Sequence, residues 1–241
     1  MGPARRDIAL VQLLPNAMTL GAICAGVTAM RLAVFGAFDM AVALLFLAAL
    51  LDGLDGSVAR AMKSESLIGA ELDSLADVVN FGVAPAIVLY FWTLWQEPIT
   101  GWIAALVYII CCALRLARFN AGTKSGLGDA RFFTGVPSPA GALLALAPLF
   151  LTHAFPEAAH PAWASAVWLV LCGLLMVSRL PTWSLKARIP RRFARLVLLA
   201  VGLGGVALIS WPWGTLLALD LAYLLTIPLA GVHARQVLPK G

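Results

Sequence analysis

From Met40 to Leu51 the chain carries no charged residue, and from Leu196 to Trp211 it again carries none. Runs of this kind decide the fold class, because a helix needs about 20 mostly apolar residues to cross a bilayer. They recur through 241 residues, of which 61% are hydrophobic and 12% charged. Soluble domains hold roughly 45–50% apolar and about 25% charged residues. A water-soluble globule has no place for this much apolar surface, so disorder, a disulfide scaffold and a cytosolic enzyme are excluded. The sequence predicts an all-α polytopic membrane helical bundle of about eight transmembrane helices. The expected spans are 14–35, 38–61, 67–95, 100–120, 136–155, 161–180, 193–211 and 213–233. Breaks fall at turn signals such as QEPITG (96–101), FPEAAHPA (155–162) and SWPWG (210–214). The third span is long for one crossing and implies tilt or a projecting end.

The charges test this topology independently. Arg5, Arg6, Arg60, Lys63, Arg115, Arg118, Lys124, Arg131, Arg179, Lys186, Arg188, Arg191, Arg192, Arg195, Arg235 and Lys240 fall on one side, which is 16 of the 17 basic residues. Arg31 alone falls towards the other. The asymmetry places both termini in the cytoplasm and requires an even number of spans. The net charge of +5 then reads as attraction to anionic lipid rather than to nucleic acid. The basic segment KARIPRRFAR (186–195) fits either lipid binding or topology. The start, MGPARRDIAL, reads as a retained cytoplasmic segment because no small-residue cleavage site follows. Cys24, Cys111, Cys112 and Cys172 lie in apolar runs without CxxC spacing and read as small buried residues. Three scattered histidines do not suggest a zinc site.

Charged groups inside a span cost at least about 2.5–3.5 kcal/mol each on insertion scales, which makes them functional candidates. Four acids cluster at the cytoplasmic ends of spans two and three: Asp52, Asp55, Asp73 and Asp77. At about 100° per residue, Asp52, Asp55, Gly56, Ala59 and Arg60 share one wedge of helix two. Gly69, Asp73 and Asp77 follow one another at intervals of four along helix three. Facing carboxylates repel in a low dielectric unless divalent cations neutralise them, and an all-oxygen set suits Mg²⁺ or Mn²⁺. On spacing alone, a cation or proton pathway stands beside metal-dependent chemistry, as does pairing of the acids with Arg60, Arg115 and Arg118. A transporter would place its acids near the bilayer midplane on broken helices, whereas these lie at span ends.

The run DGLDGSVARAMKSESLIGAELDSLAD (52–77) resembles the signature of the CDP-alcohol phosphotransferases, D-x2-D-G-x2-A-R-x8-G-x3-D-x3-D. Every fixed position is met, by Asp52, Asp55, Gly56, Ala59, Arg60, Gly69, Asp73 and Asp77. The resemblance implies a six-helix membrane core over residues 1–180, with two additional C-terminal helices over 181–241. LPNAMTLG (14–21), DVVNFGVAPA (77–86), LRLARFN (114–120) and FTGVPSPAGA (133–142) look like the bacterial and archaeal membrane-type phosphatidylserine synthases. That likeness implies transfer of a phosphatidyl group from CDP-diacylglycerol to L-serine in a bacterial-type inner membrane; the same chemistry with glycerol 3-phosphate, inositol phosphate or choline as acceptor is the rival reading.

Carried over by position, the resemblance makes Asp52, Asp55, Asp73 and Asp77 ligands of two divalent cations, and Asp77 also the general base. Gly56, Arg60 and Ser66 match CDP-binding positions, and Asn16 and Thr19 match further nucleotide contacts. Helix packing for Gly56, interfacial snorkelling for Arg60 and helix capping for Asn16 and Thr19 are the competing readings. Arg115 and Arg118, three apart on span four, suit a serine carboxylate or a phosphate, or anchor the helix at the interface. Asn80, one turn past Asp77, suits the serine ammonium or orientation of the base. The PSP at 137–139 shapes an acceptor pocket or breaks a helix, and Ser138 lacks a histidine or lysine base that would make it a nucleophile. Asp220 lies in mid-span without an assignment, facing a partner subunit or a polar cluster. A homodimer is compatible with all of this.

Overall fold

A computed structural model describes residues 14–62, 66–125, 132–183 and 194–237. The described chain is an all-α bundle. Its helices are α1 (Leu14–Val34), α2 (Phe38–Met62), α3 (Leu67–Asp77), α4 (Ala84–Trp92), α5 (Pro98–Ser125), α6 (Ser138–Ala154), α7 (Ala162–Val177), α8 (Ala194–Ser210) and α9 (Pro212–Val237). Among the described residues, five helical segments are long and apolar enough to cross a membrane: Leu14–Val34, Phe38–Ala61, Ile68–Trp92, Pro98–Gly122 and Pro212–Ala230. Three shorter apolar helices, Ser138–Ala154, Ala162–Val177 and Leu199–Ser210, complete the eight apolar segments expected from the sequence. The protein is an integral membrane protein, and large apolar side chains such as Ile209, Ile68 and Ile99 point outward where lipid would lie. Arg5, Arg6, Lys63, Arg131, Lys186, Arg188, Arg191, Arg192 and Lys240, on which much of the topology argument rests, lie outside the described residues.

The interior is built by pairs of helices. α1 lies along α2, α5 along α7 and α6 along α9, with α4 running between α1 and α6. Small residues on α1 (Ala22, Ala25, Ala29, Ala33) are buried and let its backbone approach its neighbours closely. The larger core residues Tyr108, Phe150, Leu89, Leu144 and Leu169 are almost completely buried between α4, α5, α6 and α7. Of the cysteines, Cys111, Cys112 and Cys172 belong to this interior. Cys24 instead lies on the outer surface of α1, which corrects its reading as a buried residue; the helical phase there turns it away from Ala22 and Ala25.

The long third segment is continuous from α3 into α4, but Val78–Val83 forms a π-helical turn between them. The backbone N–H of Ala84 donates to the carbonyl of Val79, five residues back. Pro85 has no N–H to offer the carbonyl of Phe81 four residues earlier. The fully buried Tyr108 hydroxyl supplies that donor instead, 2.9 Å from Phe81 O. Asn80 sits inside this turn and is buried.

Two elements were not expected from the sequence. Phe132–Thr134 (β1) and Pro181–Trp183 (β2) pair antiparallel, Phe133 opposite Thr182. They bring together the two longest polar connections. Gly135, at φ +82°, follows β1 in the left-handed region, where a Cβ would also run into the carbonyl oxygen of Met176. At the opposite end of the bundle from the aspartates, His153 lies 3.7 Å from Asp39 and packs between Trp92 and Trp213. Such a belt of indole rings suits a membrane interface. Asp220 on α9 is buried within the chain, so it does not face outward towards a partner subunit.

Candidate active site

The C-terminal half of α2 runs beside α3, and this places the four aspartates in one group. One carboxylate oxygen from each of Asp52, Asp55 and Asp73 lies within 4.8 Å of the others. The Asp77 carboxyl comes within hydrogen-bonding distance of Asp52. Two like charges this close repel by roughly 3–4 kcal/mol at an effective dielectric of about 20. The nearby arginines do not relieve that through their hydrogen bonds. Arg60 donates to Ser57 Oγ (3.3 Å), Arg115 to Ser138 Oγ (2.7 Å) and Arg118 to the carbonyl of Val177 (2.8 Å). Asp52 Oδ1 is buried with no hydrogen-bond partner among the described residues. Four clustered carboxyls with an orphaned inner oxygen are the donor set that hard divalent cations favour, so the residues fit a Mg²⁺ or Mn²⁺ centre.

Around this group α1 and α2 supply the next set of contacts. Thr19, buried on α1, donates from Oγ1 to Asp55 Oδ2 at 2.5 Å. The backbone N–H of Gly56 donates to Asp55 Oδ1 at 2.5 Å. Among the described residues a Cβ at Gly56 would meet only the Arg60 guanidinium, at 3.5 Å, so none of their helices demands glycine there. Asn16 leans on Gly69, where a Cβ would come within 2.9 Å of its amide oxygen. Ser66 is the N-cap of α3 and accepts from the N–H of Gly69 at 2.9 Å.

On the α5–α6 side, Arg115 and Arg118 separate. Arg115 is buried, lies within electrostatic reach of Asp77, and holds Ser138 at the first turn of α6. Its Nε has no hydrogen-bond partner among the described residues. Arg118 is exposed and bonds the last turn of α7. Asn120 ties α5 to α3 through Ser74 Oγ at 2.9 Å. Asn80 is 2% exposed, and neither atom of its amide has a hydrogen-bond partner among the described residues. Its Oδ1 lies so close to Gly26 of α1 that a Cβ there would overlap it.

Two polar contacts were not visible as such in the sequence: the Thr19–Asp55 bond and the Arg115–Ser138 bond. Ser138 stood out within the PSP at 137–139, but nothing in the sequence named Arg115, 23 residues away, as its partner. Thr19 stood out by position but gave no hint that its partner would be Asp55, 36 residues away.

The CDP-alcohol phosphatidyltransferase family model matches residues 12–179, a stretch that includes all four aspartates. A Mycobacterium leprae protein named CDP-diacylglycerol–serine O-phosphatidyltransferase is 40% identical over 239 residues, covering 97% of this chain and 79% of that protein. A Helicobacter pylori protein of the same name is 38% identical over 184 residues, covering 72% and 76%. One from Methanocaldococcus jannaschii is 41% identical over 137 residues, covering 56% and 59%. An aspartate cluster built by the complete signature, within a match of this extent, places the chain in the CDP-alcohol phosphatidyltransferase family.

Proposed function

We propose that this chain transfers the phosphatidyl group of CDP-diacylglycerol to the hydroxyl of L-serine, giving phosphatidylserine and CMP. The observation that carries the reading is the convergence of Asp52, Asp55, Asp73 and Asp77, with Arg115 as a buried cation beside Asp77. The names of the relatives supply the donor and acceptor. Asp52, Asp55, Asp73 and Asp77 would hold two divalent cations, Mg²⁺ or Mn²⁺, which supply neutralisation of the diphosphate charge when bound.

The chain's own residues divide the remaining work. Gly56 leaves open space on α2 for the nucleotide, and Arg60 reaches a phosphate oxygen in place of Ser57. Asn16 and Ser66, which meet over Gly69, would add polar contacts to the nucleotide from α1 and the start of α3. Arg115 pairs with the serine carboxylate, its buried guanidinium having a nitrogen to spare. Asn80 offers its unengaged amide oxygen to the serine ammonium. Asp77 accepts the hydroxyl proton as the serine oxygen bonds to the phosphorus bearing diacylglycerol. The bond from that phosphorus to the CMP oxygen breaks, and CMP leaves. The site opens at the cytoplasmic face, where both termini also lie in this reading.

The arginines bear on the choice of acceptor. A phosphorylated alcohol calls for additional cations, yet among the described residues Arg118 is turned to Val177 and Arg115 stands as the cation near Asp77, while Arg131 lies outside them. That arrangement favours a single carboxylate. The test is CMP release by purified protein given CDP-diacylglycerol and, separately, serine, glycerol 3-phosphate, inositol phosphate or choline. Serine-dependent release is expected; release only with another acceptor would overturn the reading. Charged hydrogen bonds contribute about 1.5–3 kcal/mol, so Arg115→Gln should raise KM for serine by about 10- to 100-fold. Initial rates against serine concentration measure this, and an unchanged KM would remove Arg115 from the acceptor site.

A further inference from the structure

Thr19 matches a nucleotide-binding position of the family, yet its hydroxyl is directed elsewhere. Oγ1 lies 2.5 Å from Asp55 Oδ2 and 3.1 Å from the carbonyl of Pro15. A hydroxyl has one proton to give. Within a helix the Pro15 carbonyl is already served by the backbone N–H of residue 19. The carboxylate is the closer and the charged acceptor, and 2.5–2.7 Å is the distance of charge-assisted O–H···O⁻ bonds. The proton therefore goes to Asp55.

Both partners are shut away from solvent, Thr19 at 3% and Asp55 at 4% exposure. The second oxygen of Asp55 accepts from Gly56 N–H. Asp55 is thus gripped on one oxygen by its own helix and on the other by α1. Each oxygen keeps a further lone pair free. Asp52, one turn earlier, shows the contrast: its buried Oδ1 has no hydrogen-bond partner among the described residues.

We infer that Thr19 is a positioning residue for the divalent-cation centre, fixing the Asp55 carboxylate from α1 and so acting on metal affinity. The inference rests on the metal reading of the aspartates given above. Partners that orient a metal ligand typically change affinity by about 10–100-fold when removed. Thr19→Val keeps the shape of the side chain and deletes the hydroxyl, whereas Thr19→Ser restores it.

The experiment titrates Mn²⁺ into full-length protein in lipid nanodiscs and follows free Mn²⁺ by electron paramagnetic resonance. Thr19→Val should weaken Mn²⁺ binding by about 10–100-fold, with Thr19→Ser within about threefold of the parent. In an Asp55→Asn background, Thr19→Val should cause no further loss, because the two residues act as one unit. Unchanged Mn²⁺ affinity would overturn the inference and leave Thr19 to the nucleotide alone. Losses that add in the double variant would also overturn it. A parent protein that binds no Mn²⁺ would sink the metal reading together with this inference. Metal binding by a parent that uses an acceptor other than serine would sink only the acceptor assignment.

Discussion

Asp52→Ala is expected to bring serine-dependent CMP release to background and to abolish tight Mn²⁺ binding at the same time. Asp52 occupies the middle of the carboxyl group: it shares the 4.8 Å cluster with Asp55 and Asp73 and reaches hydrogen-bonding distance of Asp77. Its removal takes away the residue that links the two pairs. Charge stabilisation by bound metal is worth several kcal/mol. At about 1.36 kcal/mol per factor of ten, the rate should fall by about 10³-fold or more. The same substitution relieves repulsion when no metal is present, so the melting temperature in EDTA should stay level or rise. Inactivity accompanied by a lower melting temperature in EDTA would point to misfolding. Retained turnover would show that Asp52 is not a metal ligand.

Asp77→Asn separates proton transfer from binding. The amide keeps the size of the side chain and one oxygen for a cation, but cannot accept the serine proton. General-base catalysis contributes about 10²–10⁴-fold, so kcat should drop by that factor. Binding of CDP-diacylglycerol, measured by displacement of a labelled donor, should change little. A kcat equal to that of the parent protein would move the base elsewhere. The structure supports the assignment by placing Asp77 between Asp52 and the buried Arg115, where donor and acceptor would meet.

The membrane helices were legible because hydropathy and length are local properties. The aspartates were legible because intervals of three and four residues specify one helix face before any partner is known. Arg115 and Arg118 show where this stops. Three residues apart, they diverge by about 60° around α5, and which one turns inward depends on the carbonyl of Val177 at the end of α7. The β1–β2 pairing escaped for a related reason: three-residue strands have too short a pattern, and they exist because α5–α6 and α7–α8 bring their connections together. The π-turn likewise depends on Tyr108 arriving from α5 to serve Phe81. The Thr19–Asp55 bond needs α1 to lie beside α2, which residue spacing alone does not state.

The widened turn at Val78–Val83 also works as a phase shifter within one span. Upstream, α3 presents Gly69, Asp73 and Asp77 on a polar face; downstream, Ala84, Pro85, Ala86, Val88 and Leu89 of α4 are buried in the core. A π-turn accommodates roughly one extra residue, which amounts to about 100° of rotation between the two halves. The helix can therefore aim its aspartate edge and its packing edge independently. Deleting a single residue there would leave a segment just as apolar and just as able to span the bilayer. It would nevertheless turn one edge against the other, so the length of this turn is itself part of the active-site design.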